Sequence, residues 1–221
     1  MKPIIFCDFD GTITETDNIV SLMTHFVPEQ SEKIAKAMMA QTISFKDGIT
    51  AMFELLSTSQ KDDIIQYLME TAVIREGFSE FVRYAQEHDI PFYIVSGGVD
   101  FFIQPLLERF GPFSGIYCNN ADFSGEQITV VYPHSCDEHC AKFPTQSCGC
   151  CKPTVMREMA QPDQFKIVIG DAISDFEAAK QADLVLAREQ LIDRCNDLHI
   201  PYKPFNTFYD CLETVKELIK A

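Results

Sequence analysis

A chain of 221 residues, 46% of them hydrophobic, suffices for one generous domain, or for a core domain carrying an insert, and can fill a proper core. Its formal charge of −15 argues against nucleic acid and anionic membranes as partners, because both require a basic face. A phosphorylated small molecule remains open, provided that metal and lysine reverse the field locally.

The chain opens directly into an apolar run, without the basic segment and cleavage site of a secretory leader. No stretch approaches the ~18 consecutive apolar residues of a membrane span, so the cytoplasm is the expected compartment. Nine cysteines, an odd number, suit free thiols or a metal better than a disulfide framework.

Ile4 to Cys7 reads as a buried strand that drives into Asp8-Phe9-Asp10-Gly11-Thr12. From there to about Arg75 the apolar pattern is helical. It predicts helices over 18–27, with Ile19, Val20, Leu22, Met23 and Phe26 at helical spacing, over 29–40, and over 45–56 after Ser44. Ser59, with Asp62 three residues on, resembles a capping box for a further helix. Residues 15–76 therefore read as a helical cap inserted into a core made of 1–14 and 77–221. Five methionines (Met23, Met38, Met39, Met52 and Met69) fall in this insert, as gap-fillers of its core or as the lining of an adaptable apolar pocket.

Beyond the insert, strand and helix alternate. The expected elements are a helix over 77–88, a strand over 91–95 ending at Ser96-Gly97-Gly98, a helix over 101–110 and a short strand over 116–118. A hairpin over 119–132 centred on Gly125 follows, then an irregular cysteine-rich segment, 134–151. Pro153 suits the start of a helix reaching Ala160. A strand over 165–169 ends at Gly170-Asp171, and a helix over 175–181 follows. A strand over 184–187, a helix over 191–198, a strand over 202–205 and a last helix from Tyr209 complete the chain. Short apolar strands alternating with helices imply an α/β fold: a doubly wound, mostly parallel sheet, Rossmann-like, covered on both faces.

Three polar turns directly follow buried strands: Asp8 to Thr12, Ser96 to Gly98, and Gly170-Asp171 with Asp175. Lys152 begins a helix whose N-terminus can face the same edge. Open α/β sheets bind ligands at the carboxyl ends of their strands. Carboxylates, one lysine, one hydroxyl and glycine-rich backbone are what phosphoryl transfer to an aspartate requires. Taken separately, Asp10-Gly11 or Asp171 could merely turn the chain.

The four pieces, in this order, resemble the haloacid dehalogenase superfamily of phosphohydrolases. The resemblance implies Asp8 as a nucleophile forming a phospho-aspartyl intermediate, and Asp10 as the acid that protonates the leaving oxygen and later activates water. It implies Mg²⁺ held by Asp8, the Asp10 carbonyl, Asp171 and Asp175, the last directly or through water. It further implies that Ser96, Gly97, Thr12 and Lys152 hold the phosphoryl oxygens.

The helical insert resembles that of the phosphoserine phosphatase branch, which implies Asp17 as a substrate contact. The residue-level alternative is that Asp17 caps the first helix of the insert. Arg75-Glu76-Gly77 resembles that branch's Arg-x-Gly approach to the next helix, so Arg75 either binds a carboxylate or lies on the surface. The run from His134-Ser135-Cys136 to Cys148-Gly149-Cys150-Cys151-Lys152 departs from serine-phosphate enzymes. It is more like the phosphoethanolamine/phosphocholine phosphatases, and closer still to the bacterial methionine-salvage phosphatases, which act on a methylthio-bearing enol phosphate. Cys136, Cys140, Cys148 and Cys150, with Cys151, His134 and His139 nearby, supply enough soft ligands for a structural zinc. Their spacing is not a clean pair of Cys-x-x-Cys motifs, so reduced thiols are the expectation.

The function expected is a Mg²⁺-dependent phosphatase acting on a small phosphate monoester. Phosphoserine and phosphoethanolamine or phosphocholine remain alternative substrates. A non-catalytic phosphate-binding or zinc-organised interaction protein is the alternative of another class. Oligomeric state is not encoded in any motif.

Overall fold

The computed structural model describes residues 2–140 and 148–220. Seven strands form one sheet: β1 (Lys2–Cys7), β2 (Phe92–Val99), β3 (Gly115–Asp122), β4 (Thr129–Val131), β5 (Gln164–Gly170), β6 (Leu184–Ala187) and β7 (Tyr202–Pro204). Their order is β4-β3-β2-β1-β5-β6-β7, and every pairing is parallel except the β3–β4 hairpin. The central strands β1, β2, β5 and β6 carry the short apolar runs that burial on both faces selects. In β1, Ile4, Ile5, Phe6 and Cys7 are all buried, with Cys7 level with Ile94 of β2 and Ile169 of β5. The chain builds outward from β1 first on one side and then on the other. The topological switch point, where such sheets open a crevice, therefore lies beyond the end of β1.

Between β1 and β2 lie α1 (Asn18–Phe26), α2 (Pro28–Met39), α3 (Phe45–Phe53), α4 (Lys61–Thr71) and α5 (Phe78–Glu87). The chain enters and leaves the α1–α4 stretch through an antiparallel bridge between Thr14 and Ile74. The capping box falls two residues earlier than the sequence suggests. Ser57, not Ser59, is the cap: its hydroxyl oxygen accepts from the Ser59 amide, and Gln60 Oε1 accepts from the Ser57 amide at 2.9 Å. This opens a short 3₁₀ turn before α4. Leu56 is fully buried just ahead of it, and Ser57 itself is bridged to Gln127.

The remaining helices are α6 (Asp100–Leu107), α7 (Lys152–Met159), α8 (Phe176–Ala179), α9 (Glu189–Asp197) and α10 (Phe208–Lys220). Strand β2 runs through Ser96, Gly97 and Gly98 to Val99, past the expected end at Val95. Its pairing with β3 breaks between Val95 and Val99, which leaves those three residues off the ladder. Of the cysteine-rich segment, residues 141–147 lie outside the described residues.

One apolar cluster joins the sheet to the inserted helices, with Ile5, Phe9, Ile94 and Phe102 in the same cluster as Ile19, Leu22, Met52 and Phe53. The Phe53 and Phe101 rings meet edge to face at 6.2 Å. The five methionines of the insert divide: Met23 and Met52 are core, Met38 packs partly buried against it, and Met39 and Met69 are exposed.

Candidate active site

Side chains alternate along extended chain, so Phe9 sinks into the core while Asp8 and Asp10 turn to the opposite side. The turn that follows is tied to one atom. The Phe9 carbonyl accepts the amides of Thr12, Ile13 and Thr14 at 3.3, 2.9 and 3.0 Å. Gly11 takes φ +78°, a left-handed conformation that costs little only without a Cβ, and a Cβ there would strike the Asp171 carboxylate.

Lys152 is the hub. It is the first residue of α7 and 5% exposed, and its Nζ lies 2.7 Å from Asp8 Oδ2 and 2.6 Å from Asp175 Oδ1. The other Asp8 oxygen accepts from the Phe9 amide at 2.8 Å. Asp175 Oδ2 accepts the amides of Asp171 and Ala172 at 3.2 and 3.1 Å, so one carboxylate ties the turn after β5 to the lysine. Burial pulls Lys152 down, but Asp175 and Asp8 outweigh it and leave its pKa above the ordinary value. Burial and the facing Asp175 push Asp8 upward, with Lys152 pulling against them.

Oxygens of Asp8, Asp171 and Asp175 all lie within 4.8 Å of one another. One lysine cannot neutralise three carboxylates at such range, and burial denies them water. Hard oxygen donors with excess negative charge fit a small divalent cation. Burial and the Asp175 carboxylate push Asp171 up to about 6.

Asp10 sits half-buried on the other flank. Its Oδ1 accepts both the backbone and the side-chain amide of Asn18, at 3.1 and 2.7 Å. Burial and the nearby Asp17 carboxylate push it up to about 7, against the pull of those two hydrogen bonds. Ser96 Oγ is 3.5 Å from Asp10 Oδ2 and accepts the Gly98 amide at 2.9 Å. A Cβ on Gly98 would stand 2.7 Å from Asp10 Oδ2, so the chain has no room for one there. The Gly97 carbonyl accepts from Asn119 Nδ2 at 2.8 Å, and the Phe45 ring of the inserted helices stands 3.4 Å from where a Cβ on Gly97 would lie.

Thr12, Asp17 and Arg75 are placed as follows. The Thr12 hydroxyl donates to Asp171 Oδ1 at 2.5 Å, so it orients that carboxylate. Asp17 is the N-cap of α1, accepting the Val20 amide at 3.0 Å, and it also lines an open cleft of about 500 Å³ with Val20, Ser21, Thr24 and Tyr67. Arg75 neither lies on the surface nor offers a free guanidinium to a carboxylate. It is buried and donates to the carbonyls of Thr12, Gly11, Thr14 and Asn206 at 2.8, 2.9, 3.2 and 3.4 Å. The loop between the two N-terminal aspartates and the insert leaves the Gly11, Thr12 and Thr14 carbonyls without ladder partners, and Arg75 satisfies them. Asn18 was not singled out by the sequence. The signal for it is a polar residue four positions before Leu22, on the same buried helical face.

Among the cysteines, Cys150 departs from expectation. Its Sγ turns to the Tyr117 carbonyl at 3.7 Å, whereas Cys151 joins Cys136, Cys140 and Cys148. Neighbouring residues on the extended chain entering α7 point to opposite sides, so only one of the two can face that cluster.

Comparisons with known proteins bear on the same residues. The model of the haloacid dehalogenase-like hydrolases matches residues 5–180, from β1 through the Asp171–Asp175 turn. A Lysinibacillus sphaericus protein named 2-hydroxy-3-keto-5-methylthiopentenyl-1-phosphate phosphatase is 76% identical over all of this chain and 97% of its own. A Bacillus cereus protein of the same name is 49% identical, over 98% of this chain and 97% of its own. Among solved structures, a phosphoserine phosphatase with an analogue of its phospho-aspartyl intermediate superposes with a TM-score of 0.71. That match covers 98% of both chains at 19% identity and speaks for the fold. A sheet whose switch point gathers Asp8, Lys152, Asp171 and Asp175, matched by that model over most of its length, makes this chain a member of the haloacid dehalogenase-like hydrolase family.

Proposed function

We propose that this protein is a Mg²⁺-dependent phosphatase that hydrolyses 2-hydroxy-3-keto-5-methylthiopentenyl-1-phosphate in methionine salvage. The observation that carries the chemistry is the contact of Lys152 with Asp8 inside a cluster of three carboxylates. The substrate rests on the printed name of relatives up to 76% identical over the full chain.

Asp8 is the nucleophile. One of its oxygens attacks phosphorus, the ester oxygen leaves, and a phospho-aspartyl intermediate forms; water then attacks that phosphorus and returns the free carboxylate. Lys152 holds the attacking carboxylate in position and balances charge on the phosphoryl oxygens. Asp10, held near pKa 7, gives its proton to the leaving oxygen and takes one from the incoming water. The Ser96 hydroxyl and the Gly97 amide, free of the β-ladder, receive phosphoryl oxygens. Asp8, the Asp10 carbonyl and Asp171 would hold Mg²⁺, with Asp175 joining them directly or through water. Bound there, the metal would screen the repulsion between carboxylate and phosphate.

Residues 15–76 serve as the cap over this site, with Asp17 close enough to Asp10 to raise it and Phe45 beside Gly97 to meet the apolar tail. The charge of −15 keeps nucleic acid and anionic membranes from competing, and no described helix is long and apolar enough to cross a membrane. Nine free thiols are in keeping with the cytoplasm.

Phosphate release with Mg²⁺ should be compared for the methylthio enol phosphate, phosphoserine and phosphoethanolamine. The highest kcat/KM is expected for the enol phosphate. A preference for either of the others overturns the substrate, and release unaffected by chelation overturns the metal.

A further inference from the structure

The cysteines of this chain live in two kinds of surroundings. Cys7, Cys118 and Cys211 lie in the main core, Cys150 packs with Val155 and Met156, and Cys195 packs with Leu191 and Val185. Each behaves as a small apolar side chain among aliphatic neighbours. Cys136, Cys140, Cys148 and Cys151 instead form a cluster of sulfur alone, with Cys136, Cys140 and Cys151 buried.

The four Sγ atoms all lie within 4.8 Å of one another. Cys140 Sγ is 3.9 Å from that of Cys148 and 3.5 Å from that of Cys151. A disulfide would bring two sulfurs to about 2.05 Å. Thiolates at about 2.3 Å from a tetrahedral zinc stand about 3.8 Å apart along each edge, a spacing that the 3.9 and 3.5 Å separations bracket. Sequence spacing agrees. Cys136 and Cys140 are separated by three residues and Cys148 and Cys151 by two, both within the range of structural zinc sites. Gly149, at φ +74°, turns the chain between the second pair.

We propose that Cys136, Cys140, Cys148 and Cys151 bind one Zn²⁺ in a closed, structural Cys₄ site. Neither nearby histidine belongs to it: His139 is exposed, and His134 packs edge-on against Tyr117. All four positions are filled by protein, so no place is left for substrate or water.

The ligands are supported from α7. Thr154 Oγ1 donates to Cys151 Sγ at 3.1 Å and accepts the Asp137 amide at 3.2 Å. Arg157 grips the Asp137 carboxylate, with Nε at 2.8 Å. Such outer partners fix a ligand's direction before metal arrives. Cys151 is also the N-cap of α7, one residue before Lys152. The zinc therefore anchors the helix start from which Lys152 reaches Asp8 and Asp175, while taking no part in the chemistry.

The test is metal analysis of the full-length protein purified without chelator. About one equivalent of zinc per chain is expected, retained on dialysis into excess Mg²⁺. Reconstitution with Co²⁺ should give the thiolate charge-transfer band and strong visible d–d bands of tetrahedral sulfur coordination. Cys136→Ser and Cys148→Ser should lose the metal, and Cys150→Ser should keep it. If the serine variants fail to fold, the zinc content and cobalt spectrum of the unaltered protein decide. Zinc below about a tenth of an equivalent with no cobalt–thiolate band overturns the site, as does a disulfide between any two of the four in protein purified without air. Asp8→Asn should keep its zinc, so loss of catalysis and loss of this site are separately read.

Discussion

Asn18 grips a single oxygen of Asp10 twice, from its backbone amide at 3.1 Å and its side-chain amide at 2.7 Å. Both bonds favour the ionised carboxylate and hold down a pKa that burial and Asp17 raise to about 7. In Asn18→Ala the side-chain bond is gone, so Asp10 keeps its proton to higher pH. The alkaline limb of kcat/KM should move upward while kcat falls by roughly 10-fold or more, since the acid is no longer aimed. An unchanged pH profile would separate Asp10 from proton transfer.

Asp8→Asn keeps the shape and removes the proposed nucleophile. Mg²⁺-dependent phosphate release should fall by about 10³-fold or more. The fold should persist, because Lys152 keeps Asp175 at 2.6 Å and one buried carboxylate fewer needs neutralising. Activity near that of the unaltered protein would remove Asp8 from the reaction.

Arg75→Met leaves the carbonyls of Gly11, Thr12 and Thr14 without their donor. A loss of about 3 kcal/mol in stability is expected, read by denaturant unfolding. KM for the phosphate ester should change less than kcat. The reverse outcome, unchanged stability with a large rise in KM, would make Arg75 a substrate contact after all.

Phe45 stands beside Gly97 from the inserted helices, its ring partly exposed. Phe45→Ala should raise KM for a methylthio-bearing phosphate by roughly 10-fold, the worth of one lost apolar contact, and leave phosphoserine turnover nearly unchanged. Equal effects on both esters would show that the ring closes the site without reading the tail.

Asp10 at about 7 and Asp171 at about 6 both lie above the roughly 3.9 of an unfolded aspartate. Between those limits the folded chain binds more protons than the unfolded one, so stability of the metal-free protein falls as pH rises through that window. Asp137, held below its ordinary value by Arg157, acts in the opposite sense, but its contribution is complete before the window opens. Mg²⁺ competes with those protons, so its stabilisation should be larger near about pH 8 than near about pH 5. Thermal melts with and without Mg²⁺ check the sign; a larger shift at the acid end would contradict it.

The middle of the sheet was legible because its strands hold apolar runs: Ile4 to Cys7 could be nothing but buried, and the turns after β1, β2 and β5 carry the candidate site residues. Less legible were contacts that end on backbone. Nothing in the residues around Gly11 announces that its carbonyl needs a guanidinium, so Arg75 could be read only by side-chain analogy. The choice between Cys150 and Cys151 turns on which way two adjacent side chains face, and one residue of register reverses it. Ser57 becomes the cap where the chain is held by the buried Leu56 and by the bridge to Gln127, both tertiary facts.

The apolar cluster that joins Phe53 and Leu56 of the insert to Phe101 and Phe102 has a consequence for how the molecule comes apart. A stretch that shares its interior with the sheet has no separate melting point. Near- and far-ultraviolet signals should trace one coincident transition, and excising residues 15–76 should yield an aggregating remnant, because the surface left behind is hydrocarbon that water has never touched.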